Sequence, residues 1–259
     1  MDQVRKFQQE VAENIASLAA DKDLQALSRI WVREISSHRW AYNFTWLGRP
    51  AIQFPNDAWA IQELIWQIKP DLIIETGIAH GGSLILSASM LALLDMTEAI
   101  ERGATINPRE SKRKVLGIDI DIRAHNRDAI EAHPMASRIQ MIQGSSIAHD
   151  IIEQVKQVAA GYGRILICLD SNHTHEHVLA ELEAYAQLTS VGSYCVVFDT
   201  LIEDMPADMF PDRPWGPGNN PKTAVREYLK THPEFEIDKS IQNKLLITVA
   251  PDGYLKRVI

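Results

Sequence analysis

Five short apolar runs alternating with helical stretches narrow the possible folds of this chain more than any other feature. They are residues 71–75 (DLIIE), 114–119 (KVLGID), 138–142, 164–170 (RILICLD) and 193–199 (SYCVVFD). Each has the length of a strand, and most are apolar almost throughout, as strands covered on both faces are. Residues 83–94, 124–132, 147–159 and 174–188 lie between them and read as helices. The alternation predicts an α/β fold, a mostly parallel sheet with helices on both faces. A helix at 222–231 and strands at 235–237 and 243–249 bring the expected sheet to seven strands, with 253–258 a terminal strand or tail.

Ahead of this lies a helical extension. Val4, Phe7, Val11, Ile15 and Leu18 recur at spacings of three and four, which gathers them on one helical face. A second helix is expected at 24–36, so the chain divides into an extension, 1–40, and a main domain, 41–259. The apolar face of the first helix needs a partner surface, either the chain's own core or a second copy, and a homo-oligomer is expected. The aromatic stretch from Trp40 to Pro50 is a non-helical connection, and Asn56 or Asp57 is the expected cap of a helix at 58–68. The longest apolar stretch, 84–94, is interrupted by Ser87 and Ser89 and is too short for a bilayer, and no signal-like segment opens the chain. Cys168 and Cys195 lie inside apolar runs and read as core thiols. The expectation is a cytoplasmic protein without membrane contact. A net charge of −8 argues against nucleic acid, whose phosphates call for Lys and Arg.

Four of the strands finish in an acid: Glu75, Asp119, Asp170 and Asp199. In open parallel sheets ligands bind beyond the carboxyl ends of the strands, so these carboxylates should meet at one crevice. The turn after the first strand runs Glu75-Thr-Gly77-Ile-Ala-His80-Gly81-Gly82-Ser83. Gly77 allows a tight turn and Gly81 and Gly82 allow close approach of a ligand, but the turn is neither GxGxxG nor a P-loop. Asp119 stands where a ribose is bound in several nucleotide folds, NAD-binding ones included. Ser145 or Ser146 could meet an adenine or cap a helix. Asp170 and Asp199, on neighbouring strand ends, suit a hard cation such as Mg²⁺. His173 follows in a turn with His175 and His177, and could accept a proton from a hydroxyl.

The segments Asn43-Phe-Thr-Trp-Leu-Gly-Arg-Pro50, Glu75 to Ser83, Leu169-Asp-Ser-Asn-His-Thr-His175 and Gly216-Pro-Gly-Asn-Asn-Pro221 together resemble the cephalosporin hydroxylase family, which is similar to macrolide sugar and rhamnosyl O-methyltransferases. The resemblance runs from Trp40 to the C-terminus. It implies a Rossmann-like class I methyltransferase fold, S-adenosylmethionine with Mg²⁺, and methyl transfer to a hydroxyl of a small molecule such as a sugar or natural product. By that resemblance Glu75, Gly77, His80, Gly81, Ser83, Asp119, Ser145, Ser146 and Asp170 bind the cofactor, Asp170 and Asp199 hold the metal, and His173 is the base beside Asp170. One position departs from the pattern. Many relatives carry two adjacent acids where this chain has Phe198-Asp199, which leaves Glu203, Asp204 or water to complete the metal shell. The loop 201–221 would cover the acceptor with Met205, Met209, Phe210 and Trp215, while the segment 43–49 either lines the site or anchors the N-terminal helices. A cofactor-binding protein without catalysis and, disfavoured by the turn spacing, an NAD-type oxidoreductase are the alternatives.

Overall fold

The computed structural model describes residues 2–259. Two helices open the chain, α1 (Gln3–Ala20) and α2 (Lys22–Ser37), followed by a hairpin of β1 (Phe44–Trp46) and β2 (Arg49–Ala51) and by α3 (Pro55–Ile68). The alternating part consists of β3 (Leu72–Thr76), α4 (Gly82–Arg102), β4 (Lys114–Asp119), α5 (Ala124–Glu131), β5 (Ile139–Gln143), α6 (His149–Ala159), β6 (Ile165–Leu169), α7 (His175–Tyr185) and β7 (Tyr194–Val197). Last come α8 (Pro221–Tyr228), β8 (Phe235–Ile237), α9 (Lys239–Leu245) and β9 (Tyr254–Arg257). The seven-stranded sheet has the order β5-β4-β3-β6-β7-β9-β8. β3 to β7 pair in parallel, and β9 joins antiparallel to both β7 and β8.

Both faces of the sheet are covered, which is why its central strands show no alternation. Ile73, Val115, Leu166 and Val196 pack on one side with α3 and α4, while Ile74, Leu116, Ile167 and Val197 pack on the other with α6, α7 and α8. Cys168 and Cys195 are buried, unpaired core residues, as expected. Val32 of α2 belongs to the first of these clusters, whereas Val4, Phe7 and Val11 on α1 are exposed.

Three expectations about the elements need correction. The strand expected at 243–249 is instead α9 and an irregular segment. Asp238 caps α9, its carboxylate accepting from Ser240 N at 3.0 Å, and Leu246 at φ 60° ends it. The N–H of Val249 then donates to Asp57 Oδ2 at 2.9 Å rather than to a sheet partner. Asp57 for its part does not cap α3, and neither does Asn56. The N-cap is Phe54, and Asp57, fully buried in the first turn, accepts from Thr248 Oγ1, Val249 N and Tyr254 OH. Lastly, α4 continues past residue 94 to Arg102 and is long and apolar enough to cross a membrane by length and hydropathy. Leu84, Ile85, Leu91 and Leu94 are completely buried against the sheet, so here it is a core helix.

The order of strands reverses between β3 and β6, and there two loops touch. Asp170 N donates to Thr76 O at 2.9 Å, and Gly77, at φ +88°, lies so close that a Cβ would overlap the Asp170 carbonyl. Gly103 also has positive φ, but with open space around it. Substituting each by Ala separates conformational strain from collision. Gly103→Ala should cost about 1 kcal/mol and Gly77→Ala clearly more, measured as the difference in denaturant midpoints.

Candidate active site

The carboxyl ends of β3, β4, β6 and β7 open onto three adjoining cavities. A narrow one of about 40 Å³ lies along the turn after β3, lined by Gly77, His80, Gly81, Ser83 and Asp170. A second of about 330 Å³ is lined by Gly77, Asp119, Ser145, Ser146, His173 and Trp215. The third, about 530 Å³, has a largely aromatic wall that includes Trp40, Tyr42, Phe210 and Trp215, and Asp170, His173 and Asp199 also line it. Asp170 faces the first and third cavities and His173 the second and third. The expected site residues thus border one continuous region, with Glu75 just beneath it.

Glu75 is buried at the end of β3 and accepts from Ser83 Oγ in the first turn of α4. Burial pushes its carboxyl up to about 7, and the Ser83 hydrogen bond only partly offsets that. Ser83 therefore braces Glu75 as well as lining the cavity. Asp119 is likewise engaged, its Oδ2 accepting from the amides of Ile78 (2.8 Å) and Ala79 (3.2 Å), which pins the glycine turn to the end of β4. His80 presents its carbonyl to Arg49, whose Nη2 donates at 2.6 Å. Neither serine at the end of β5 is the cap of α6, whose N-cap is Ala148. Ser145 lines the second cavity, while Ser146 is buried and sits with its hydroxyl 3.0 Å from His177 Nε2.

Asp170, His173 and Asp199 each offer a ligand atom, and all three atoms lie within 4.8 Å of one another. Asp199 holds a left-handed backbone, φ 54°, a conformation costly for a residue with a side chain and commonest where function demands it. His173 Nε2 lies 3.2 Å from Asp199 Oδ2, and Trp215 packs edge-on to the imidazole at 5.6 Å. Burial, then the negative charges of Asp199, Glu75, Glu181 and Asp57, hold the Asp170 carboxyl far above its ordinary range. A cation between Asp170 and Asp199 would relieve that repulsion, so the residues present fit a hard divalent ion with two carboxylates and an imidazole at hand.

The expected completion of this shell by Glu203 or Asp204 is corrected by the structure. Glu203 accepts from Gly218 N at 2.7 Å and from Asn220 Nδ2 at 2.5 Å, and Asp204 pairs with the buried Lys222 Nζ at 2.6 Å. Both acids hold the 201–221 loop to the start of α8. That loop is more ordered than its composition suggests, opening with a 3₁₀ turn, Thr200–Asp204, and closing on an Asn220 capping box. Phe198 is buried in the core.

Several contributing residues carry no local signal. Asn126 on α5 donates to Ala79 O at 2.9 Å and accepts from Arg49 Nη2 at 3.1 Å, so Arg49 and Asn126 clamp the glycine turn from two distant segments. The 43–49 segment thereby reaches the site through Arg49. His177, which its sequence position marks as an ordinary helix residue, lines the second cavity and faces Ser146, Ser171 and the wholly buried Glu181. Glu181 lies one helical turn along α7 from His177, and only the packing of α7 on the sheet brings Ser146 to them.

Comparison with known proteins adds to this geometry. The family described as Rhamnosyl O-methyltransferase/CmcI matches residues 38–258. A rhamnosyl O-methyltransferase of Mycobacterium tuberculosis is 30% identical over 231 residues, covering 85% of this chain and 83% of that protein. That of Mycobacterium leprae is 30% identical over 230 residues, covering 85% and 88%. Among solved structures, the Mg-SAM form of CmcI superposes with a TM-score of 0.56 at 18% identity, over 84% of this chain and 78% of that one. Its apo form gives 0.54 at 19%, over 84% and 77%. At these identities the structural likeness is one of fold, a class I methyltransferase fold.

The buried Glu75 has a consequence for stability. Unfolded, its carboxyl ionises near 4.5; folded, near 7. Between those values the folded chain holds a proton that the unfolded chain has lost, so the group's contribution is intact below pH 4.5 and disappears as pH rises through 7. Glu75→Gln, which keeps an acceptor for Ser83, should therefore gain thermal stability relative to the parent between about pH 5 and about pH 8, by up to about 3 kcal/mol. Paired melting curves across that range would check it.

Proposed function

Because the chain belongs to the Rhamnosyl O-methyltransferase/CmcI family, we propose that it transfers the methyl group of S-adenosylmethionine to a hydroxyl of a small molecule, a sugar or a sugar-bearing natural product. The observation that carries this reading is the meeting of Asp170, His173 and Asp199 where the cavities join. The turn from Gly77 to Ser83 suits the amino-acid end of the cofactor, Asp119 its ribose, and Ser145 and Ser146 the region of its adenine. The aromatic cavity is left for the acceptor.

Methyl transfer forms a C–O bond, breaks the S–CH₃ bond and releases the hydroxyl proton. Asp170 and Asp199 are the residues that would hold Mg²⁺, which when bound would supply Lewis acidity to the acceptor hydroxyl. His173 takes the proton, and the facing Asp199 carboxylate accepts from Nε2 when that nitrogen is protonated. Trp215 holds the imidazole plane. The chain's main contribution is alignment, since fixing two reactants in one geometry can lower a barrier by several kcal/mol. The exposed Val4, Phe7 and Val11 on α1 support self-association of the enzyme.

Calorimetry with S-adenosylmethionine is the first test, and absence of binding overturns the reading. His173→Gln should lower kcat by about a hundredfold or more while cofactor affinity stays within about threefold. Asp199→Asn should abolish the dependence of turnover on added Mg²⁺ while cofactor affinity stays within about threefold.

A further inference from the structure

The aromatic cavity carries both acidic and basic side chains. Asp170 and Asp199 line it beside His173, and Arg39 and Arg213 are its two cationic side chains, Arg213 also bordering the second cavity. Neither guanidinium forms an ion pair among the described residues. Each instead lies over an aromatic ring of the same cavity wall, Arg39 at 4.3 Å from the centre of Tyr42 and Arg213 at 5.8 Å from that of Trp215. A ring beneath the guanidinium plane leaves its N–H edge free, and that edge matches carboxylate and phosphate oxygens two at a time.

We propose that the acceptor carries an anionic group, a phosphate or a carboxylate, which Arg39 and Arg213 bind while the hydroxyl to be methylated lies at the Asp170–His173–Asp199 cluster. This rests on the methyltransferase reading above and adds the charge of the substrate and the two residues that select it. Trp215 links the two groups, since it contacts both Arg213 and His173. An anion seated on Arg213 would therefore sit against the wall that also holds the imidazole.

Calorimetric titration of the full chain with three probes tests this: methyl rhamnoside, which is neutral, rhamnose 1-phosphate, and p-carboxyphenyl rhamnoside. Each is titrated with and without saturating S-adenosylhomocysteine. At least one anionic probe should bind about tenfold more tightly than the neutral one. Phosphate preference or carboxylate preference then identifies the source of the charge. The preference should vanish in the Arg39→Gln, Arg213→Gln double variant and survive in part in Arg39→Lys, which keeps charge but not the fork. Both positions are exposed, and unchanged melting curves would show that the variants fold. Binding of all three probes within about twofold, no binding of either anion at millimolar concentrations, or a preference that outlasts the double variant would overturn the inference. Failure of S-adenosylhomocysteine to bind would instead strike at the methyltransferase reading, and the titrations without it still read the anion preference.

Discussion

The close approach of the β3 and β6 loop ends is the constraint on which the rest of the site depends. Parallel pairing of β3 with β6 carries on one residue past the end of β6, as Asp170 N donates to Thr76 O. Gly77 fits against Asp170 only because it has no side chain. That single contact fixes where the glycine turn begins and where Asp170 stands beside it. It also lies where the strand order reverses, the place at which an open parallel sheet leaves a crevice for ligands.

Around this point the fold gathers carboxylates that would be more stable apart. Glu75 and Asp57 are buried and raised, Asp57 to about 6 chiefly through burial despite its hydrogen bonds to Thr248, Val249 and Tyr254. Asp170 is raised by burial and then by the acids around it. Stability alone would not select such a cluster, because each buried charge loses hydration that its partners return only in part. A ligand with positive charge at its centre changes that balance, and both a sulfonium cofactor and a divalent ion have one. The neighbouring acids Glu203 and Asp204 lie outside the cluster, since the loop needs them for its own anchoring.

How much of this could be read in the sequence depended on how local each cause is. The central strands and helices follow from unbroken apolar runs and helical spacing, and they formed where expected. The 243–249 segment failed because its apolar residues suit a strand equally well, while the Asp238 cap and the claim of Asp57 on Val249 N are tertiary facts. The acids at the strand ends were legible because strand direction alone sends them to one edge. Arg49 and Asn126 were not, since they meet the glycine turn from 31 and 47 residues away along the chain. His177 and Glu181 became part of the site's surroundings only when α7 packed back on the sheet.

The sequence by itself determined the layered α/β architecture, the glycine turn and the set of acids at the strand ends, because periodicity and strand polarity act over a few residues. Only the tertiary structure decided which of those acids are free to bind a ligand and which are taken up in bracing the fold. It alone placed His173 beside Asp199, turned Glu203 and Asp204 away, and set Arg39 and Arg213 on the aromatic cavity. The physical reason is competition for partners: a carboxylate or guanidinium has the same chemistry wherever it occurs, and its role is settled by the groups that packing brings within hydrogen-bond distance.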